Sequence, residues 1–359
     1  NRYKPDQSEI EGAINNFNKS KDDSSILNLS KVVSGRRKEL FIRLNMAPNG
    51  TSEIVTLRED LLKLLKSNPN LRTLDFDLID IFKNWFNPGF LKLKKITWDT
   101  KAAILEKIIK YEKVHQIKDM NDLKRRLQQD DRRFFAYFHP ILKDEPLIFV
   151  EVAFTKGIGK SIQQLIKPKT DENLNYDTAT FYSINNCQDG LMRVTLGNFL
   201  IKRVVFEIQQ ENQKIKNFGT LSPLPGFADW FFSLNNTKLQ DILKKYDISK
   251  LEFLKSPQLK VGDPKIVEEE VALKKLVCHY LIHEKINNKP LNPVSRFHLG
   301  NGASIHDVII NGNTSDYGYS ESFGIMVNYG YQLDKLEHIH EDFITKGKIS
   351  YSDKIKKYV

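Results

Sequence analysis

Residues 218–227 read FGTLSPLPGF: Phe218-Gly219-Thr220-Leu221-Ser222-Pro223-Leu224-Pro225-Gly226-Phe227. The first four suit a strand. The strand is expected to stop at Ser222, because Pro223 and Pro225 have no N–H for a sheet ladder. Gly226 permits a further sharp bend. A serine is thus presented at a strand end, held by two fixed proline dihedrals and flanked by apolar side chains. Such rigid placement suits a catalytic or ligand-orienting group. A second unusual stretch, RFHLGNGA at 296–303, sets His298 between Phe297 and Leu299 and follows it with Gly300-Asn301-Gly302. The two stretches are far apart in the chain, so any pairing of Ser222 with His298 must be made by the fold.

Around these stretches the pattern is that of an α/β domain. Phe134–Phe138 reads as a strand, Lys143–Pro146 as a turn and Leu147–Phe154 as a second strand, together a hairpin. Ile158–Ile166 reads as a helix with Gly157 and Gly159 at its start, and Thr178–Ile184 as a strand. Leu196–Gln210 reads as a helix, because Leu200, Val204 and Ile208 share a face. Asn217–Leu221 is the strand leading to Ser222. Pro257–Pro264 reads as a loop, Ile266–Glu284 as helical, and 304–310 and 323–327 as strands. The alternation argues for a mixed sheet with helices.

Upstream the periodicity is helical from Thr56 to about Val114. Leu57, Leu61, Leu64 and Leu65 form one stripe, ended by Asn68-Pro69. Leu74, Leu78, Ile81, Phe82, Trp85 and Phe86 form a second, ended by Pro88-Gly89. Ile104, Ile108 and Tyr111 mark a third, entered through Asp99-Thr100 as caps. Residues 1–50 are polar and weakly patterned. The expected organisation is an all-α domain over 1–127, followed by an α/β domain with a mixed sheet over 128–359. Lys124-Arg125-Arg126 and Arg132-Arg133 read as a basic, solvated link, with phosphate as the alternative contact.

The chain has 359 residues, 40% hydrophobic and 28% charged, ordinary for a globular protein with a sizeable core. No run approaches the ~18 apolar residues of a membrane span. The two cysteines, Cys187 and Cys278, argue against a disulfide framework and for a reducing compartment. The net charge of +10 fits a solvated basic surface or an anionic ligand such as coenzyme A. The basic residues are spread out and no nucleic-acid motif is present, so no nucleic-acid partner is expected. The chain begins at Asn1, not Met, so a removed leader is an expectation. Its end, Lys356-Lys357-Tyr358-Val359, is not a peroxisomal address.

Between the strand ending near Ser183 and the next helix lies a polar loop, Asn185–Arg193. The helix opens around Thr195–Gly197, with Asn198 following. Its N–H groups and dipole would face that loop, an arrangement suited to phosphate. Arg193 and Gly197 resemble the pyrophosphate loop of GNAT-type acyltransferases. Gly157-Ile158-Gly159-Lys160-Ser161 lacks the full phosphate-loop spacing and reads as a helix start. His279 and His283 would share a helix face, a possible metal pair, but no Glu follows His279, and a packed or surface helix is the reading. The pattern around His338 and His340 is similarly bland, and nothing beside Cys187 activates it. No metal is expected.

LSPLPGF and FHLGNGA, with FYSI (Phe181–Ile184), LGNFLIKRVV (Leu196–Val205) and MVNYGY (Met326–Tyr331), resemble the malonyl-CoA decarboxylase family in content and order. The resemblance runs from roughly Trp85 to Tyr331. It implies a GNAT-type catalytic domain and a helical amino-terminal domain that supports oligomers, with tetramers expected. It implies conversion of malonyl-CoA to acetyl-CoA and CO2, with Ser222 and His298 as the catalytic pair and Tyr331 completing the polar set. Ser183 matches the strand-end serine near the acyl thioester. Thr195 stands where the family's pattern has a glutamate.

The implied reaction needs an oxyanion stabiliser, an oriented carboxylate and a proton for the enolate carbon. The thioester is itself the electron sink, so no cofactor is expected. Which group gives the proton stays open at this level. The alternatives are a GNAT-like acyltransferase using another acyl-CoA, and a non-catalytic subunit keeping the fold in a larger assembly, which the Thr195 departure permits. A mitochondrial matrix location is expected, with the cytoplasm or peroxisome as alternatives.

Overall fold

The structure, a computed structural model, describes residues 3, 6–34, 37–167, 175–194, 200–248, 251–256 and 260–359. The chain forms two compact units: residues 1–92 with 137–147 and 186–196, and residues 93–136, 148–185 and 197–359.

The first unit is helical. Three helices, Gln7–Ser20, Asp23–Ser34 and Arg37–Asn45, occupy the stretch that looked unpatterned. Their signal is faint because little of them is buried. Ile14, Ile26, Leu27 and Ile42 are exposed, while Ala13 and Phe41 carry the packing. Polar capping helps instead: the Asp6 carboxylate accepts from the N–H groups of Ser8 and Glu9. Helices Gly50–Leu64 and Arg72–Trp85 match two expected stripes, the second burying Leu78, Ile81 and Phe82. Arg58 is fully buried. Its Nε donates to Asp75 at 2.8 Å and its Nη1 to the Gly190 carbonyl at 2.6 Å.

The second unit begins with residue 93, so residues 93–127, expected in the first domain, cluster here instead. The third stripe is the helix Ala102–Tyr111. Its cap position is Lys101 without a side-chain bond, and the Thr100 hydroxyl instead accepts from the Thr97 N–H. The basic link is also different from expectation. Arg126, on helix Met120–Gln128, is buried against Glu151 and Asp122. Arg132 is buried against Asp131, and Arg133 pairs with Glu211. Carboxylates distant in sequence or placed between basic residues gave no helical period to read.

The strands are β1 Lys92–Lys95, β2 Arg132–Phe138, β3 Pro146–Thr155, β4 Thr178–Asn186, β5 Asn217–Thr220, β6 Ser222–Pro223, β7 Lys285–Ile286, β8 Lys289–Pro290, β9 Ser304–Ile309 and β10 Met326–Gly330. β7 and β8 form a separate hairpin. The rest form one mixed sheet in the order β1-β2-β3-β4-β5-β10, with β6 and β9 also paired to β10. β4 and β5 are parallel from Thr178↔Asn217 to Phe181↔Thr220. β10 runs antiparallel to β5, β6 and β9.

The sheet does not stop at Ser222. Gly330↔Gly219, Val327↔Ser222 and Met326↔Pro223 keep one register, so pairing continues through Ser222 to Pro223. Pro223 ends the ladder, where a missing N–H is tolerated. The strand expected over 323–327 starts later. Phe323 (φ +54°) and Gly324 (φ +74°) adopt left-handed conformations that close helix Asp316–Ser322. The helix expected over 158–166 begins only at Ile162, because Gly157 N–H donates to Asp177 and Gly159 N–H to Thr180. The helix after β4 is described over Leu200–Glu211. Residues 257–259 of the expected loop lie outside the described residues, and Pro264 already opens a helix to Glu268 before the helix Glu270–Ile282.

Strand alternation gives the sheet two faces. Tyr182, Leu221, Ile309 and Met326 pack with Ala153, Ile162 and Leu165 on one. Thr220, Ser222, Tyr329 and Tyr331 alternate to the other. The architecture is the expected one, a helical amino-terminal region and a mixed-sheet domain. No described helix is long and apolar enough to cross a membrane.

Candidate active site

His298 lies on helix Pro293–Gly300. Asn292 caps this helix and fastens it. Its Oδ1 accepts from the Ser295 N–H at 2.9 Å, and its Nδ2 donates to the Pro225 carbonyl at 2.9 Å. Pro293 fills the first helical position, where its fixed φ costs nothing. The cap therefore ties the histidine helix to the turn that follows Ser222. At the far end, His340 bonds the Gly300 carbonyl at 2.7 Å. Gly302 has φ +80°, and a Cβ there would lie 2.3 Å from the Leu336 carbonyl oxygen, so only glycine fits.

These constraints pair Ser222 with His298. Ser222 Oγ is 2.9 Å from His298 Nε2, and Tyr331 OH is 2.9 Å from His298 Nδ1. Ser222 Oγ is also 2.8 Å from Thr220 Oγ1, which accepts from the Tyr329 N–H at 3.3 Å. The imidazole stacks on Tyr329 with centroids 4.6 Å apart and planes 26° from parallel. Thr220, Ser222, His298 and Tyr331 thus form one hydrogen-bonded chain with two proton arrangements. In one, Tyr331 donates to Nδ1, Nε2 donates to Ser222, and Ser222 donates to Thr220. In the other the imidazole takes its second tautomer, so that Nδ1–H donates to Tyr331 and Ser222 donates to Nε2.

Among the described residues no charged side chain bonds His298, Ser222 or Tyr331. Burial alone pushes the His298 imidazole down to about 3, so it is neutral near pH 7. Burial raises the Tyr331 hydroxyl well above the usual phenol range, and Tyr329's also. The site is a set of neutral, interchangeable donors and acceptors.

Ser183 faces a different network. Its hydroxyl donates to Glu112 at 2.7 Å, and Asn185 Nδ2 donates to Glu112 at 2.8 Å and to Ser183 at 2.7 Å. Glu112 also accepts from the N–H groups of Val114 and His115. Burial first, then the charge of Glu151, raises its carboxyl to about 8. Glu151 in turn accepts from Tyr182 at 2.7 Å and pairs with Arg126 at 3.2 Å. Continuing the β4–β5 register sets Ser183 level with Ser222 on the same sheet face. Sequence reading named Ser183 as a substrate contact, and the structure places it against Glu112 and Asn185; it did not name Glu112 or Asn292. The Asn-Pro pair at 292–293 was a legible cap signal; Glu112 had none.

Arg193 adopts φ +67° in the first unit, and its exposed guanidinium lies 3.7 Å from Asp75. Thr195, Gly197 and Asn198 lie outside the described residues. The rings of His279 and His283 are 5.2 Å apart and tilted by 40°, but His279 meets Tyr246 and Glu284. No group of three metal-ligating side chains occurs among the described residues. Cys187 and Cys278 are buried thiols.

The sequence pattern of the malonyl-CoA decarboxylase C-terminal domain matches residues 89–359, and that of the N-terminal domain matches residues 3–86. This chain belongs to the malonyl-CoA decarboxylase family. It is 34% identical over 350 residues to the mitochondrial malonyl-CoA decarboxylase of Anser anser anser, covering 90% of this chain and 69% of the relative. It superposes on the crystal structure of malonyl-CoA decarboxylase from Rhodopseudomonas palustris with a TM-score of 0.87 and 40% identity, over 99% of this chain and 87% of that one. The structure from Agrobacterium vitis gives 0.85 and 39%, over 99% and 88%. The family's relatives thus include proteins named mitochondrial and proteins from bacteria.

Proposed function

We propose that this chain decarboxylates malonyl-CoA to acetyl-CoA and CO2 through a thioester enolate, using Ser222, His298 and Tyr331 and no metal or organic cofactor. The observation that carries the proposal is the buried, uncharged Ser222–His298–Tyr331 chain in a member of this family. The bond from the carboxylate carbon to the methylene carbon breaks. Its electron pair becomes the enolate double bond, and the carbonyl pair moves onto oxygen. The site must then donate a hydrogen bond to that oxygen and a proton to the carbon.

Ser222 turns its hydroxyl from Thr220 to the developing enolate. As the carbon takes that proton, Nε2–H replaces it on Ser222, and Tyr331 replaces the proton on the ring at Nδ1. Solvent restores the tyrosine proton in the same step, through the cavity that Tyr331 lines, because a buried tyrosinate would be costly. The neutral imidazole suits this role, because it passes a proton from one nitrogen to the other without becoming a buried cation. Ser183, level with Ser222, supports the thioester. The loop of Arg193, Thr195, Gly197 and Asn198, between β4 and its helix, holds coenzyme A phosphates. The exposed apolar residues of the first unit, among them Leu27, Met46 and Phe76, support its use as a homo-oligomer surface.

The purified chain given malonyl-CoA should release CO2 and acetyl-CoA in equal amounts. Given acetyl-CoA and an amine, it should transfer nothing. Acyl transfer without decarboxylation would overturn the proposal in favour of a GNAT-like acyltransferase.

A further inference from the structure

Glu112 is a buried carboxyl with every acceptor position taken. Its Oε1 accepts from the N–H groups of Val114 at 2.7 Å and His115 at 2.6 Å, and its Oε2 from Ser183 at 2.7 Å and Asn185 at 2.8 Å. Those donors match the roughly four lone-pair sites of an ionised carboxylate. In that state Ser183 commits its single hydrogen to Glu112, while Asn185 Nδ2 donates to its oxygen at 2.7 Å. A thioester carbonyl only accepts, so Ser183 then has no hydrogen to offer it.

Protonation of Glu112 reverses one of these bonds. The two backbone N–H groups at Oε1 cannot turn. Asn185 is fixed too, because its Oδ1 accepts from the Lys113 N–H at 2.9 Å. The serine hydroxyl is the one donor of the set that rotates. A proton on Oε2 therefore points at Ser183 Oγ, which accepts it beside the Asn185 bond, and the serine hydrogen is freed. Glu151 is the competing acceptor, but Tyr182 and Arg126 already bond its two oxygens. The Leu221 N–H donates to the Phe181 carbonyl at 2.9 Å, so the β4–β5 ladder runs on towards Ser183 and Ser222. The freed hydrogen is thus on the sheet face that carries Ser222.

We propose that Glu112 is a positioning residue whose protonated form turns the Ser183 hydroxyl away from the carboxyl and onto the carbonyl oxygen of the bound acyl thioester. The inference rests on the decarboxylase reading and gives that reaction a donor for the enolate oxygen, while Ser222 serves the carbon. Burial first, then the charge of Glu151, raises the Glu112 carboxyl to about 8, so the protonated form predominates at pH 7. Its neighbours His115 and Tyr182 keep one charge state across that range. Burial, then Arg126, pushes His115 down to about 3, and burial, then Glu151, raises the Tyr182 hydroxyl well above the usual phenol range. Arg126 faces Glu151 and pairs with Asp122.

The test is the pH dependence, from pH 6 to pH 9.5, of kcat/KM and kcat for malonyl-CoA in the full chain, Glu112→Gln and Ser183→Ala. Beside it stands the calorimetric affinity for acetyl-CoA, which has the same carbonyl and needs no turnover. In the parent chain, kcat/KM and the acetyl-CoA affinity should fall about three- to tenfold through a midpoint near about 8, as loss of one hydrogen bond requires. kcat should stay level to higher pH, because a bound carbonyl that accepts from Ser183 holds Glu112 protonated. Glu112→Gln presents an N–H to Ser183 at every pH, and Ser183→Ala has no hydroxyl to turn. Both profiles should be flat, the first lying above the second. A parent profile without the bend, or a bend that survives in either variant, overturns the proposal. Acetyl-CoA binding that bends in the parent and not in the variants, without any decarboxylation, upholds the switch and overturns the decarboxylase reading alone.

Discussion

His298 and Glu112 are both buried side chains of the second unit, exposed by 3% and 4%, yet their surroundings differ in kind. His298 has only hydroxyls at its two nitrogens and a tyrosine ring against its face. Burial alone holds it neutral, down to about 3. Glu112 belongs to a network that contains charge: Glu151 stands near it, and Arg126 bonds Glu151 beside Asp122. The comparison teaches that burying polar groups serves two ends. A neutral chain can exchange protons cheaply and so can turn over. A charged network resists change, because losing one partner leaves another buried and uncompensated.

The largest expected effect is on the neutral side. His298→Ala should lower kcat/KM for malonyl-CoA by about 10³-fold or more, since it removes the relay and its hydrogen bonds together. Its urea midpoint should change far less than its activity does. Arg126→Leu should do the opposite. It leaves Glu151 buried without its cation and should cost about 3–5 kcal/mol in urea unfolding. An Arg126→Leu protein of full stability would break the contrast.

Ser222→Ala should lower kcat by about 10²-fold, and Tyr331→Phe by about tenfold, because each removes one link of a proton chain. A Tyr331→Phe variant with unchanged kcat would remove the tyrosine from the relay and leave a two-residue site.

The smallest effects are in the pH dependence of stability. The Glu112 carboxyl is raised from 4.5 to about 8 in the folded protein. Between those values the unfolded chain has lost a proton that the folded chain keeps. Stability from this group therefore declines as pH rises through that window and levels off above it. Glu112→Gln should flatten the decline in urea midpoints between pH 5 and pH 8. His298 works in the other direction. It is lowered from 6.5 to about 3, so stability is lost as pH falls from 6.5 towards 3. His115, also lowered to about 3, adds to that acid-side loss.

Much of this was legible before the structure. The proline-bounded strand at Ser222, and His298 followed by Gly300-Asn301-Gly302, marked the candidate site, because rigid turn chemistry is written in local sequence. The helical stripe at 74–86 was legible through its buried Leu78, Ile81, Phe82 and Phe86, whereas the stripe at 57–65 marked a helix but not its buried face, since Leu57 and Leu64 are exposed and Ile54, Val55 and Leu61 are buried. Three things were not. The helices over 7–45 bury too little to show a period. Continuation of the ladder through Ser222 to Pro223 depends on β10, more than a hundred residues away. Glu112, which follows helix Ala102–Tyr111, gains its role only from Ser183 and Asn185 across the fold, and no local pattern encodes such a contact.

The most direct test is the pH profile of kcat for acetyl-CoA formation from malonyl-CoA, measured from pH 5.5 to pH 8. A neutral His298 predicts steady turnover with no inflection near 6.5, the ordinary histidine value from which burial lowers it. An inflection near 6.5 that disappears in His298→Gln would mean that the imidazole works as a titrating acid or base, and would contradict the uncharged relay.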